Sequence, residues 1–134
     1  MGNVISSGVG QAPARQAALA AGLGQNVPCT TVNKVCASGL KATMLAAQSA
    51  QLGHGGVFIS GGMESMSNAP YLLPGARAGM RYGHGVVEDA LQKDGLWDVY
   101  NDKAMGAFGD KCASEHGFSR EEQDAFAIRS YELS

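Results

Sequence analysis

The chain has 134 residues, of which 45% are hydrophobic and 16% charged, and a formal net charge of -2. This composition is typical of one ordinary globular domain. Its lysines and arginines are scattered and nearly balanced by acidic residues, which excludes the basic surface that nucleic acid or an anionic membrane requires. No apolar run approaches the roughly 20 residues of a membrane-spanning helix.

The sequence contains three cysteines and three histidines, namely Cys29, Cys36, Cys112, His54, His84 and His116. The cysteines form no even disulfide framework, and neither residue type shows the close spacing of a metal site. We therefore expect a reducing compartment, no bound metal and ordinary surface histidines.

The first predicted elements are a helix and a strand. The helix covers residues 12–21, with Pro13 tolerated in its first turn and Gly22 just past its end. The strand lies in P-C-T-T-V-N-K-V, residues 28–35, because threonine and valine favour the pleated conformation. We place its end near Val35.

A second helix and a second strand follow. The helix covers residues 37–52 and ends at Gly53. Because it is rich in alanine, serine and glycine, we expect it to be buried between layers. The strand is the short apolar run G-V-F-I-S-G-G, residues 56–62, which we expect to be buried. This order of elements predicts an α/β layer with a parallel strand pair and a right-handed crossover.

The rest of the chain is irregular at first and then helical. Prolines and glycines become frequent, and we place a subdomain boundary near Asn68. Residues 86–93 and 104–116 are predicted helices, the second with Gly117 as its stop. The motif S-R-E-E at residues 119–122 has the serine and glutamate spacing of a capping box and predicts the start of a last helix.

Cys36 lies where the predicted strand changes to the second helix, within N-K-V-C-A-S-G-L. At a helix N-terminus, unpaired backbone N–H groups and the positive end of the macrodipole both favour a thiolate. The thiolate is the nucleophile of cysteine chemistry, and the same N–H groups can stabilise an oxyanion. A buried cysteine that acts as a small apolar side chain is the alternative, and position alone favours neither reading.

Several motifs, in the same order along the chain, resemble the thiolase family. They are N-K-V-C-A-S-G-L-K-A (33–42), S-G-G-M-E-S-M-S-N-A-P-Y (60–71) and shorter matches at residues 10–17, 93–101, 104–106 and 119–127. The chain resembles the amino-terminal half of a thiolase of the acetyl-CoA acetyltransferase branch. The resemblance implies an α/β, partial thiolase-like fold with a mixed sheet and buried helices. It places the nucleophile in a core of residues 1–67 and the start of an irregular, CoA-covering loop domain in residues 68–134.

The resemblance also implies roles for three residues. Cys36 takes the acyl group from an acyl-CoA, while Leu96 and Met105 line the path of pantetheine and the acyl pocket. Plain packing in a core is the alternative for Leu96 and Met105. Short-chain biosynthetic members commonly have a histidine where this chain has Ala104, so the acyl-chain preference stays open.

The implied activity is the condensation of two acetyl-CoA molecules to acetoacetyl-CoA and CoA, with thiolysis as the reverse reaction. The implied partners are these CoA thioesters and CoA. The family uses no resident cofactor, although some members use potassium. By resemblance, the full-length form is a homodimer or homotetramer in the cytoplasm, with mitochondria or peroxisomes as alternatives.

Three motifs of the family's carboxyl-terminal half do not occur here: G-H-P, N-E-A-F and C-x-G-G-G. Their histidine, asparagine and second cysteine supply acid–base assistance and oxyanion donors. We therefore expect a fragment that is inactive in isolation and that also lacks the family's first strand. The alternatives are a longer-chain 3-ketoacyl-CoA thiolase of β-oxidation and a catalytically silent remnant that binds a thiolase partner.

The remaining candidates are Glu64, Cys29 and Cys112. As a carboxylate among glycines, Glu64 invites a role as general base, but we favour a structural anion that accepts hydrogen bonds from neighbouring backbone N–H groups. Both cysteines lie outside the reactive motif, and we interpret them as structural.

Overall fold

The computed structural model describes all of residues 1–134. Its regular elements are helices α1 (Pro13–Ala20) and α2 (Ser38–Gln51), strands β1 (Tyr71–Leu72), β2 (Glu88–Asp89), β3 (Trp97–Asp98) and β4 (Lys103–Ala104), and helices α3 (Met105–His116) and α4 (Arg120–Glu132). A π-helical turn covers Gln92–Leu96. None of the helices has the length and apolar character needed to cross a bilayer.

The chain forms two compact units, Met1–Gly95 and Leu96–Ser134. The predicted boundary near Asn68, where prolines and glycines become frequent, lies elsewhere. The functional roles assigned to residues 1–67 and 68–134 stay predictions.

The centre of the first unit is the backbone of Gly2, which forms parallel bridges with both Val32 and Gly62. The Gly2 N–H donates to the carbonyl of Gly61 at 2.7 Å, and the Gly2 carbonyl accepts from Met63 N–H at 3.0 Å. Parallel pairing is therefore present, but the two predicted strands do not pair with each other, because Val32 and Gly62 both pair with Gly2. The pairing joins three segments that are far apart in the sequence, in the order Val32, Gly2, Gly62.

Helix α2 packs on this backbone with its first turn. A Cβ atom added to Gly2 would lie 2.5 Å from the carbonyl carbon of Ser38 and 2.6 Å from the nitrogen of Gly39. One added to Gly62 would lie 3.4 Å from the Cα of Gly39. Only glycine at position 2 permits this approach, because real Cβ atoms do not come so close to backbone atoms.

Both predicted helices of the first unit are confirmed to within one residue at each end. Pro13 opens α1, and the chain leaves it through Gly22 in a left-handed conformation with φ of 85°. Gly53 follows α2 with φ of 71°. The predicted burial of α2 is wrong for this chain, because only Ser38 and Ala42 are buried.

Neither predicted strand of the first unit forms a regular strand. In residues 28–35 pairing is limited to isolated bridges at Val32 and Lys34, and Val35 has a φ of 48°, which is incompatible with a strand. The run at residues 56–62 is not buried, since Val57 is 87% and Ile59 70% exposed. Its apolar side chains indicated a core position, but no segment of this chain covers them.

The predicted helix at residues 86–93 is wrong in its first half, since only residues 90–93 are helical. Strand β2, Glu88–Asp89, occupies its centre and pairs antiparallel with Tyr71–Leu72. Helical structure begins only at Ala90. Glu88 forms an ion pair with Lys93. The carbonyl of Pro70 accepts from Ala90 N–H at 3.1 Å and extends the ladder.

The second unit contains a hairpin and two helices. Strands β3 and β4 pair antiparallel, with Trp97 opposite Ala104. The Trp97 indole N–H donates to the Asp102 carboxylate at 2.9 Å, and the Asp98 carboxylate accepts from the backbone N–H of Asn101 at 2.7 Å. These two bonds close the loop between the strands.

The predicted end of α3 and the predicted start of α4 are both confirmed. Helix α3 ends at Gly117, whose φ is 69°. Ser119 and Glu122 form the predicted capping box, in which each side chain accepts from the backbone N–H of the other residue, at 3.2 and 2.8 Å.

We predict that Gly2→Ala destabilises the first unit by roughly 1 to 3 kcal/mol, because the added methyl group forces the parallel bridges away from α2. Urea unfolding followed by far-UV circular dichroism measures this loss. Gly56→Ala is the matched control: nothing lies within 4 Å of its added Cβ, and we expect a change within about 0.5 kcal/mol. Equal effects of the two substitutions would contradict the close approach at Gly2.

Candidate active site

Cys36 lies two residues before Ser38, the first residue of α2, and its side chain is exposed. Ala37 is the N-cap of the helix, with φ of -89° and ψ of 9°. The predicted position at the start of a helix is confirmed. The alternative of a buried apolar cysteine is wrong for this chain, because solvent reaches the thiol.

Side-chain hydrogen bonds fix the turn that carries Cys36. The Asn33 Oδ1 accepts from Val35 N–H at 2.9 Å. The Ser38 hydroxyl accepts from Lys34 N–H at 2.8 Å and donates to the Val35 carbonyl at 2.6 Å. The same carbonyl accepts from Ser38 N–H at 3.0 Å. Both peptide groups that flank Val35 are therefore held.

Val35 itself is strained. Its φ of 48° lies in the left-handed region, which a β-branched residue rarely adopts. Such a conformation costs on the order of 1 to 3 kcal/mol and persists only where the surrounding structure enforces it. Strain of this kind is found at functional sites, and here it immediately precedes the thiol.

Glu64 anchors the segment that follows Gly2. Its carboxylate accepts from Ile5 N–H at 2.8 Å, from Val4 N–H at 3.0 Å and from the Asn3 amide at 3.1 Å. The interpretation of Glu64 as a structural anion is confirmed by these three donors. The Asn3 amide also donates to the Met63 carbonyl at 3.0 Å, and its Oδ1 is buried without a partner.

Leu96 and Met105 lie in the second unit, and the hairpin brings them together. Leu96 precedes Trp97, Met105 follows Ala104, and the Trp97–Ala104 pair places both at the same end of the ladder. Leu96 is 46% and Met105 45% exposed. Neither is part of a packed core in this chain, so both are accessible to a ligand. Their predicted roles in CoA and acyl binding stay predictions.

The remaining cysteines and histidines take no part in these clusters. The Cys29 thiol is half-buried and contacts the Val27 carbonyl at 3.4 Å, and Cys112 is exposed on α3. The three histidines are exposed, as predicted.

Sequence reasoning missed Asn33 and Ser38. Asparagine two residues before a backbone N–H is a known turn-forming arrangement, so the spacing from Asn33 to Val35 was an available signal. In the sequence Ser38 is one of several small residues of the helix. Its hydroxyl contacts occur together with the left-handed conformation of Val35, and no propensity scale predicts that conformation for valine.

Comparison with known proteins agrees with the motif order. The family described as thiolase, N-terminal domain, matches residues 1–134. The chain belongs to the thiolase family. A solved thiolase from Ascaris suum, Acat5 in complex with coenzyme A, superposes with a TM-score of 0.90 at 42% identity, covering 98% of this chain and 34% of that one. The predicted thiolase-like fold is confirmed.

Curated relatives of this thiolase chain are acetyl-CoA acetyltransferases. Acetyl-CoA acetyltransferase 1 of Arabidopsis thaliana is 60% identical over 98% of the chain and 32% of its own length. Acetyl-CoA acetyltransferase of Saccharomyces cerevisiae is 53% identical over 99% of the chain and 33% of its own length. The chain therefore spans about a third of the length of the curated relatives it matches.

We predict that Glu64→Ala lowers the stability of the first unit by roughly 1 kcal/mol, because two backbone N–H groups lose their acceptor. Glu64→Gln keeps one acceptor oxygen, so its loss is smaller. Glu132→Ala, in the last turn of α4, is the control and changes stability by less than about 0.5 kcal/mol. Denaturant unfolding ranks the three variants. A slower alkylation of Cys36 in Glu64→Gln at unchanged stability would favour the general-base role instead.

We predict that Cys36 reacts with iodoacetamide near neutral pH faster than Cys29 or Cys112. The reason is its exposed position next to the unpaired backbone N–H groups at the N-terminus of α2. Peptide mass spectrometry of the native chain measures the three rates, and the urea-unfolded chain gives the reference in which they are similar. Equal rates in the native chain would contradict activation by the helix N-terminus.

Proposed function

We propose that this chain carries the acyl-accepting part of an acetyl-CoA acetyltransferase. The observation that carries the proposal is the exposed Cys36 at the start of α2, within N-K-V-C-A-S-G, in a chain 53% to 60% identical to proteins of that name. The solved relative bound to coenzyme A supports a CoA thioester as substrate.

In the first half-reaction the Cys36 thiolate attacks the carbonyl carbon of acetyl-CoA. A C–S bond to Cys36 forms, the C–S bond to CoA breaks, and CoA leaves as a thiol after taking up a proton. Backbone N–H groups at the start of α2 are suitable donors to the oxyanion that develops. The product is an acetyl thioester on Cys36, and a thioester is reactive enough to pass the acetyl group on.

In the second half-reaction another acetyl-CoA loses a proton from its α-carbon. The carbanion attacks the Cys36 thioester, forming the C–C bond of acetoacetyl-CoA and returning the cysteine. Leu96 and Met105 are the residues we assign to pantetheine and the acyl group. Ala104, beside Met105, is smaller than the histidine expected of short-chain members, which motivates testing longer acyl groups as well.

The acid–base groups of the reaction belong, by resemblance, to polypeptide outside these residues. The chain's match to about a third of each relative fits that division. We further propose a cytoplasmic enzyme that uses no resident cofactor and assembles as a homodimer or homotetramer in its full-length form.

The test is intact mass spectrometry after incubation with acetyl-CoA. The isolated chain is not expected to complete the reaction, but we expect Cys36 to accept one acetyl group, seen as a mass increase that disappears in Cys36→Ala and persists in Cys112→Ala. Butyryl-CoA and octanoyl-CoA, used in parallel, measure the preference for chain length.

Each outcome separates the proposed activity from its alternatives. An acetyl adduct that depends on Cys36 supports the acylation step in this chain. A stronger adduct with octanoyl-CoA favours a longer-chain 3-ketoacyl-CoA thiolase. No adduct with any thioester, in a chain that retains its circular dichroism, contradicts acylation by this chain alone. It is the outcome expected if acylation needs the acid–base groups outside these residues, or if the chain is the silent partner-binding form.

A further inference from the structure

The backbone at Val35 requires an explanation beyond the proposed reaction. Valine in the left-handed region, with φ of 48°, is unfavourable by itself, and glycine would adopt the same conformation freely. The residue is exposed, so core packing does not force the conformation on it. The forces that hold it must come from the hydrogen bonds of its own peptide groups.

Two side chains supply those forces, together with the backbone N–H of Ser38, which donates to the Val35 carbonyl at 3.0 Å. The Asn33 Oδ1 holds the N–H of Val35 at 2.9 Å, on the peptide that precedes it. The Ser38 hydroxyl holds the carbonyl of Val35 at 2.6 Å, on the peptide that joins it to Cys36. With both peptides fixed, φ and ψ of Val35 are fixed as well.

Ser38 is itself held by the fold. Ser38 is only 4% exposed, and a Cβ added to Gly2 would lie 2.8 Å from the Cβ of Ser38. Its hydroxyl uses both its donor and its acceptor capacity, the latter on Lys34 N–H at 2.8 Å. A buried hydroxyl with two fixed partners is rigid. Because Ser38 packs on the Gly2 backbone, its hydroxyl fixes the turn that carries Cys36 relative to that backbone.

We propose that Ser38 and Asn33 position the nucleophile: together they hold Val35 in its left-handed conformation, and this places the Cys36 thiol before the N-terminus of α2. Both are positioning residues that act through the backbone of Val35. The significance for catalysis rests on the proposed function, but the positioning can be measured on the thiol alone.

A purely structural role of Ser38 in starting the helix is the competing explanation. The two differ in one consequence. If Ser38 acts by opposing the strain of Val35, then glycine at position 35 makes the hydroxyl largely dispensable, because glycine reaches the left-handed region at no steric cost. If Ser38 only stabilises the helix, glycine at position 35 gives no compensation.

The experiment measures alkylation of the three cysteines by iodoacetamide in the native chain, from neutral to mildly alkaline pH, by peptide mass spectrometry. In Ser38→Ala we expect the rate at Cys36, relative to Cys112, to fall by about two- to fivefold, the effect of losing a charge–dipole interaction at an exposed helix N-terminus. In Ser38→Ala/Val35→Gly we expect most of the rate to return, with Val35→Gly alone as the reference.

Asn33 provides an independent pair of variants at an exposed position. Asn33→Ala removes the acceptor and should lower the relative rate at Cys36. Asn33→Asp keeps an oxygen acceptor and should restore it. This pair decides the question if Ser38→Ala loses the circular dichroism of the folded chain.

The proposal is overturned if folded Ser38→Ala keeps the wild-type ratio of Cys36 to Cys112 rates, or if Val35→Gly fails to compensate for it. It is also overturned if folded Asn33→Ala reacts like the wild type. Because iodoacetamide needs no CoA thioester, a chain that passes these tests but forms no acetyl adduct retains the positioning and refutes only the proposed function.

Discussion

The packing of the Gly2 backbone on the first turn of α2 is the contact on which the rest of the first unit depends. Gly2 pairs with Val32 on one side and with Gly62 on the other, while Ser38 and Gly39 cover it. A side chain at position 2 is incompatible with this arrangement. A single residue without a Cβ thus permits the parallel pairing. It also sets how closely the first turn of α2 approaches the paired backbone.

This packing also determines the position of the Cys36 thiol, through contacts of Ser38 and Val35. Burial of Ser38 against Gly2 directs its hydroxyl to the Val35 carbonyl, and the peptide of Val35 leads directly to Cys36. On the other side of the bridges, Glu64 fastens the backbone of Val4 and Ile5. Residues 2–5, 33–38 and 62–64 therefore act as one cluster, although only the middle segment contains the nucleophile.

The helices could be predicted from sequence because their signals are local. Pro13, Gly53 and the Ser119–Glu122 capping box act within one turn of the element they delimit. The run from Val57 to Ile59 could not be placed correctly in the same way. Its apolar, β-branched composition favours a buried strand, whereas Val57 and Ile59 are exposed in this chain.

The candidate site was predictable in part for the same reason. Cys36 was found because a change from β-branched residues to small helix formers marks a helix start. The side chain of Val35 favours a strand, whereas its N–H donates to Asn33 and its carbonyl accepts from Ser38 in a conformation with positive φ. Leu96 and Met105 came from family resemblance, and the β3–β4 ladder supplies a physical reason for their proximity to each other.

The hairpin that joins them also contains the protein's single tryptophan. The Trp97 indole, hydrogen-bonded to Asp102, lies next to Leu96 and opposite Ala104. Its fluorescence is therefore an intrinsic optical probe of the hairpin. Emission spectra report melting of the β3–β4 loop without any added label, whereas circular dichroism reports the helices of both units.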